Sequence, residues 1–365
     1  MKDAIDLALR LRRGTVAVLL GSLWLPVCLA AAPRQATSKP AVKSARKAAA
    51  ATPAYEGRED MRFFAAEVSA RRGLDREWVE RQLALARRQP AVEKLIMPPP
   101  AGTAKNWAAY RDRFVEPRRI AAGLAFWQAH EARLREAEAR WGVPPEIVVA
   151  IIGVETFYGR HTGGFRVIDA LATLAFDFPS GRKDRSAFFR GELEEFLVLC
   201  QHEGSDPQAA RGSFAGAMGL PQFMPGSVRR YAIDFDGDDH IDLLASPADA
   251  IGSVAHYLAS FGWQSGLPTH FDVAVPVDLG DRAVLLGPDI VPSFTSAMFA
   301  QRGAVLSDAG RAHDGPLALV MLENGDAAPT FVAGTSNFYV ITRYNWSSYY
   351  ALAVITLAAA LRRAR

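Results

Sequence analysis

The chain has 365 residues, half of them hydrophobic and 22% charged. That is enough apolar side chain for one large domain or two ordinary ones, and it excludes a globally disordered protein. Net charge is only +3, and it is concentrated at the front: residues 1–32 carry +2 and residues 33–55 carry +5, so the body beyond is net −4. A body of that sign is no nucleic-acid binder by bulk charge.

Arg10, Arg12 and Arg13 precede an apolar run over residues 15–29, followed by Ala30-Ala31-Ala32. A basic start, a short greasy middle and a small-residue end read as a secretory signal over residues 1–32, hence export to the periplasm. The run is shorter than a membrane span and contains Pro26, which argues against the alternative of an uncleaved membrane anchor. Cys28 raises an outer-membrane lipoprotein form, disfavoured because Leu25-Pro26-Val27 lacks a small residue before the cysteine. If Cys28 leaves with the signal, Cys200 stands alone and the fold holds by packing without an intrachain disulfide. Residues 33–57, rich in Ala, Lys and Pro, read as a disordered tether. Its charge suits anionic lipid or an anionic wall polymer, although a solvated spacer is the plainer reading.

From residue 58 the chain reads as mainly α. Helical apolar spacing recurs over 58–70, 74–88, 118–140, 145–158, 186–202, 247–261 and 347–363. Pro98-Pro99-Pro100-Ala101-Gly102 separates a small N-terminal helical region, to about residue 100, from the rest. The stretch 270–345 is richer in Gly, Pro and β-favouring runs, such as 272–277 and 331–342, so a few short strands are expected in the C-terminal third. The apolar run 349–361 is too short to span a bilayer and reads as a core helix with Arg362 and Arg363 in its last turn.

Chemistry concentrates in four places. The segment P-P-E-I-V-V-A-I-I-G-V-E-T-F-Y-G-R, residues 144–160, is apolar all round and must be buried. Glu155 sits three and four residues after Ile152 and Ile151, on a greasy face. Desolvation raises a carboxyl pKa, which suits a general acid; a buried ion pair with an Arg such as Arg160 is the structural alternative. The second place is G-S-F-A-G-A-M-G-L-P-Q-F-M-P, residues 212–225, where small residues admit a ligand closely and Ser213 and Gln222 offer hydrogen bonds. Its glycines have the wrong spacing for a phosphate loop. The third is D-F-D-G-D-D-H-I-D: Asp234, Asp236, Asp238 and Asp242 take positions 1, 3, 5 and 9 of a calcium loop, with His240 between them as a further candidate ligand. Position 6 is Asp239 instead of Gly, and position 12 is Ala245 instead of Glu, so Asp249 or a carbonyl would complete the shell of a structural Ca2+ or Na+. The fourth, N-F-Y-V-I-T-R-Y-N-W-S-S-Y-Y, residues 337–350, joins aromatics to amides, as sugar rings require, and W-A-A-Y-R-D-R-F, residues 107–114, has the same flavour. No paired His spacing suggests a catalytic zinc, and no G-x-S-x-G appears.

These motifs recur in order: Y-R-D-R-F (110–114), G-V-P-P-E-I-V-V-A-I-I-G-V-E-T-F-Y-G-R (142–160), D-A-L-A-T-L-A-F (169–176), G-E-L-E-E-F-L (191–197), the 212–225 segment, the acidic loop with D-A-I-G-S-V-A-H-Y (249–257), and N-F-Y-V-I-T-R-Y-N (337–345). Over roughly residues 58–363 the chain resembles the membrane-bound lytic murein transglycosylase B family. The resemblance implies a lysozyme-like, mostly α fold that cleaves the β-1,4 bond between N-acetylmuramic acid and N-acetylglucosamine in peptidoglycan. It implies a 1,6-anhydromuramyl product, with Glu155 as general acid and base, Ser213 orienting the N-acetyl group and Gln222 bonding the sugar. Tyr110, Tyr339, Tyr344, Asn337 and Asn345 would line subsites, and Arg185 would meet the peptide stem or lactyl carboxylate. No cofactor enters the reaction, the partner is the glycan strand, and the enzyme is expected as a monomer. The chain departs from the family pattern at Asp239 and Leu244, where a Gly and an aromatic are usual. A hydrolase that lets water finish the cleavage, a noncatalytic wall-binding protein and a calcium-responsive structural protein are the competing readings. The product, the presence of Glu155 and activity under chelation respectively separate them.

Overall fold

The computed structural model describes residues 55–98 and 103–365. The expected signal at 1–32 with Cys28, residues 33–54 of the expected tether and residues 99–102 of the expected break lie outside those residues. The architecture is mainly α with a few short strands, as the periodicity predicts. It divides into two compact units: residues 55–98 with Glu155–Ser253, and Thr103–Val154 with Val254–Arg365. The small N-terminal helical region falls in the same unit as Glu155–Ser253.

In the first unit the folded body begins earlier than the composition suggests. Tyr55, expected in the tether, is buried, and its hydroxyl donates to Asp177 at 2.7 Å. Arg58 donates to both oxygens of the same carboxylate. Helix Glu59–Arg72 ends at Gly73, whose φ of 70° is the left-handed conformation that glycine enters without a Cβ penalty. Asp75 then caps Arg76–Ala84 by accepting the Trp78 N–H. Helix Val167–Phe176 has every residue from Val167 to Ala175 buried. Periodicity does not mark it, because a continuous apolar run has no polar face to set a period. Its one acid, Asp169, accepts from the Arg87 and Gln89 segment (backbone N–H and side-chain amide at 2.9 Å) and from Arg166. A buried carboxylate with its acceptor sites filled clamps the N-terminal helices to this core. Helix Ser186–Glu203 packs beside it, with Glu194 paired to Arg71 and Arg72. Cys200, on that helix, is buried and free, and burial pushes its thiol up to about 11.

In the second unit the expected single helix over 118–140 is two, Pro117–Ala129 and Glu131–Trp141. His130 leaves helical geometry (φ −119°, ψ 23°) while its ring packs 4.6 Å from that of Phe126. Strands Ala318–Asn324 and Ala327–Gly334 form an antiparallel hairpin, and His270–Phe271 pairs on the far side of the latter. Val273–Ala274 pairs with Val305–Leu306. Phe271, Leu285, Phe299, Leu306, Leu317 and Leu319 form a core cluster there. The run 331–342, read as β-favouring, is strand only to Gly334. Thr335 accepts the Asn337 N–H and starts helix Ser336–Tyr344, which places Phe338, Ile341 and Tyr344 inward at helical spacing. Helix Ser348–Ala364 is a core helix as expected, buried along most of 350–361 with Arg362 and Arg363 in its last turn. No helix among the described residues is long and apolar enough to cross a membrane.

Candidate active site

Glu155 is the penultimate residue of helix Pro145–Thr156 and is half-buried. The helix stops one residue later because Phe157 and Tyr158 take φ of 52° and 58°, a left-handed pair that is costly for bulky residues. Thr156 absorbs that reversal. Its hydroxyl donates to the Leu220 carbonyl at 3.0 Å and accepts the Gly159 N–H at 3.1 Å, and its own carbonyl accepts the His161 N–H at 2.9 Å. A few residues on, a Cβ at Gly163 would lie 2.1 Å from the Gly212 carbonyl oxygen. The segment after Glu155 therefore lies directly against the 212–225 segment, and glycine at 163 is what permits the approach.

That segment presents two polar groups. Ser213 Oγ accepts N–H groups from Ala215 at 3.2 Å and Ala217 at 3.0 Å. Both lone pairs are thus used locally, and the hydroxyl proton is left to donate. Gln222 sits at φ 51° and gives its side-chain N–H groups to the carbonyls of Thr162 at 3.2 Å and Gly219 at 2.9 Å. Its carbonyl oxygen is left as an acceptor of fixed direction. Glu155, Ser213 and Gln222 come together in one unit, tied through the Thr156–Leu220 bond. Arg185, at the start of Ser186–Glu203, lies over the rings of Phe188 and Phe189 at 4.7 and 5.5 Å. Burial, with help from the neighbouring Arg182 charge, lowers its pKa.

The acidic loop is more ordered than a solvated turn. Asp234 accepts N–H groups from Gly237, Asp238 and Asp239 at 2.7, 3.2 and 2.9 Å, which hold its pKa down against the opposing effect of burial. Asp239 takes φ 66°, the conformation for which such loops use glycine. Carboxylates of Asp234, Asp236 and Asp249 lie within 4.8 Å of one another. The gathering therefore differs from the spacing-based set. Asp249 is 1% exposed and accepts from the N–H groups of Phe235 and Asp242. Asp242 caps its own turn through Leu244 and Ala245, Asp238 accepts the His240 N–H, and His240 itself is exposed. Asp238, His240 and Asp242 stand outside the cluster.

The remaining candidates lie in the second unit. Tyr110 is half-buried, with its ring 5.9 Å from Tyr349 and 5.1 Å from Phe114. Tyr339 is half-buried against Trp346, and its hydroxyl lies 3.4 Å from the Arg343 guanidinium. Tyr344 is buried between Tyr257 and Tyr350. Asn345 is buried, and its side-chain oxygen has no partner among the described residues. Asn337 is different from its sequence reading. It is 0% exposed, its oxygen accepts the Gln264 N–H, and its NH2 group donates to the carbonyls of Gln264 and Leu267, all at 2.8 Å. With every polar atom used, it pins the 264–267 turn and has nothing left for a sugar.

A sequence profile for the transglycosylase SLT domain matches residues 57–359. The chain belongs to the SLT transglycosylase family. It is 39% identical over 308 residues, 80% of each chain, to membrane-bound lytic murein transglycosylase B of Escherichia coli K12. Among solved structures it is similar to the soluble lytic transglycosylase SltB1 of Pseudomonas aeruginosa (40% identity, 84% of this chain and 99% of that one, TM-score 0.76). It is also similar to the E. coli lytic transglycosylase Slt35 in complex with calcium (38%, 85% and 94%, TM-score 0.73). SltB3 of P. aeruginosa in complex with NAG-anhNAM-pentapeptide follows (31%, 83% and 79%, TM-score 0.68). The lysozyme-like, mostly α expectation holds for this SLT chain. Sequence reading passed over Thr156 and gave Asp249 only a secondary place. Thr156 carries one signal, its position directly after the acid that closes an apolar helix.

Proposed function

We propose that this SLT-family chain is a peptidoglycan lytic transglycosylase in which Glu155 is the only acid–base group. The observation that carries the reading is the mounting of one half-buried carboxylate beside a segment that offers one fixed donor, Ser213, and one fixed acceptor, Gln222. One carboxylate is enough when the substrate supplies the nucleophiles. Protonated Glu155 gives its proton to the oxygen of the departing N-acetylglucosamine as the glycosidic bond breaks. The oxygen of the muramyl N-acetyl group attacks the anomeric carbon, and the Ser213 hydroxyl holds that group in line. Anionic Glu155 then takes the proton of the muramyl 6-hydroxyl, whose oxygen displaces the acetyl oxygen and closes the 1,6-anhydro ring. Glu155 ends protonated, no water is consumed, and the intramolecular hydroxyl has a large effective molarity over solvent. Tyr110 and Tyr339, with half-exposed rings, supply stacking faces for sugars, and Arg185 donates to a carboxylate of the lactyl or peptide moiety.

The three gathered carboxylates fit a hard cation with oxygen ligands. Asp234, Asp236 and Asp249 would hold calcium as a structural ion, and the calcium complex of Slt35 supports that choice. A periplasmic place, with the leader removed, agrees with a wall substrate. Digestion of purified sacculi tests the reading: muropeptides ending one water lighter than hydrolysed ends are expected. Hydrolysed ends would make the chain a muramidase, and wall binding without release would make it a noncatalytic binder.

A further inference from the structure

We infer that Thr156 is a positioning residue for the reaction, fixing the Glu155 carboxylate against the segment that carries Ser213 and Gln222. The inference rests on Glu155 being the acid–base group. Helix Pro145–Thr156 meets an abrupt end, and the residue next to Glu155 is the last one with helical geometry. Left to itself a helix end frays. Here the two following residues are also held at positive φ, so the conformation must be over-determined by its surroundings. Thr156 contributes to this through hydrogen bonds in both directions. Its buried hydroxyl (1% exposed) donates outward to Leu220 and accepts inward from Gly159, while its carbonyl takes the His161 N–H.

The partner it selects is significant. Leu220 lies two residues before Gln222, and its N–H donates to the Leu243 carbonyl at 2.8 Å. The Leu220 residue is therefore gripped on both sides, by Thr156 through its carbonyl and by the end of the acidic loop through its N–H. Space is equally constrained there, since a Cβ on Gly219 would meet the Leu243 carbonyl oxygen at 2.5 Å. A bond from a rigidly held carbonyl to the residue after Glu155 sets the distance between the proton donor and the sugar-holding amide. General acid catalysis tolerates little error in that distance, and a displacement near 1 Å costs about a hundredfold. Burial alone does not require threonine here. Valine has the same shape and would fill the same space, so the hydroxyl is what the geometry uses.

The test compares Thr156→Val, which keeps shape and loses both hydroxyl bonds, with Thr156→Ser, which keeps the hydroxyl. Asp169→Asn serves as a destabilised control, because it loosens the clamp that holds the N-terminal helices and is outside the proposed chemistry. Turnover and KM on a defined glycan strand are measured below the lowest melting temperature, with the pH profile of kcat/KM. Thr156→Val is expected to lose about tenfold to a hundredfold in kcat with KM changed less than about threefold, and to shift the limb of the pH profile that reports Glu155. Thr156→Ser should recover most of kcat, and Asp169→Asn should keep kcat despite a lower melting temperature. If Thr156→Val keeps kcat within about threefold, or if Asp169→Asn at matched melting temperature loses as much, the residue is merely structural and the inference is overturned. Should the valine variant fail to fold, Thr156→Ala takes its place, since it too loses both hydroxyl bonds; wild-type kcat there overturns the inference. Glu155→Gln is run alongside: full activity in that variant sinks the parent reading, whereas an inactive Glu155→Gln beside a fully active Thr156→Val sinks only this inference.

Discussion

Ser213→Ala separates the two duties that the structure gives this hydroxyl. The substitution removes an oxygen that accepts the N–H groups of Ala215 and Ala217, both of which lie in buried residues. Each such bond contributes about 0.5–1.5 kcal/mol net, and an N–H left unsatisfied costs more where water cannot reach it. The stability loss is therefore about 2 kcal/mol, read from chemical denaturation with the slope unchanged. The same change removes the hydroxyl proton proposed to hold the N-acetyl group. Loss of one preorganised donor from a reaction centre lowers kcat by about 10²–10³. The two effects are separable if turnover is measured per folded molecule, at a temperature where the variant is still native. Wild-type turnover combined with lowered stability would make Ser213 a turn-builder and refute its part in the chemistry. Unchanged stability would refute the hydrogen-bond argument instead.

Two further outcomes follow from buried acids. Glu192 is buried, its pKa is raised chiefly by desolvation, and it accepts the Gly226 N–H at 2.8 Å. The native state therefore binds this proton before the unfolded state as pH falls, so this group adds stability on going down from neutral pH until both states are protonated; in Glu192→Gln that gain should vanish from the pH dependence of the melting temperature. Millimolar calcium should raise the melting temperature of the wild type by mass action, and Asp234→Ala with Asp249→Asn should abolish the rise while Asp238→Ala leaves it; an equal loss in Asp238→Ala would return the ligand set to the one read from spacing.

Much of the fold was legible where the pattern was periodic. Helices 186–202 and 247–261 fall within a residue or so of their observed bounds, Ser186–Glu203 and Pro247–Ser260, because each has a polar face and a clear start. Legibility failed where tertiary contacts decide. The His130 break depends on a ring packing across the turn, and the Thr335 cap converts a β-favouring run to helix half-way. Glu155, Ser213 and Gln222 stood out because acids and amides are conspicuous in apolar or glycine-rich surroundings. Asn337 looked the same in sequence, since an asparagine beside aromatics reads alike whether its amide faces sugar or three backbone groups. The acidic loop shows the reverse error. Spacing promotes Asp238 and Asp242, while the structure turns both to local N–H groups and brings in Asp249 from the following helix.

The central claim is that one carboxylate does all the proton transfer, and Glu155→Gln tests it most directly. Glutamine keeps the size and shape of the side chain and removes the transferable proton, so the fold and glycan binding should persist. Release of anhydro-ended muropeptides from sacculi should fall by at least about a hundredfold, the scale of general acid catalysis. Release of the same anhydro products at a near-wild-type rate by a folded Glu155→Gln protein would contradict the account.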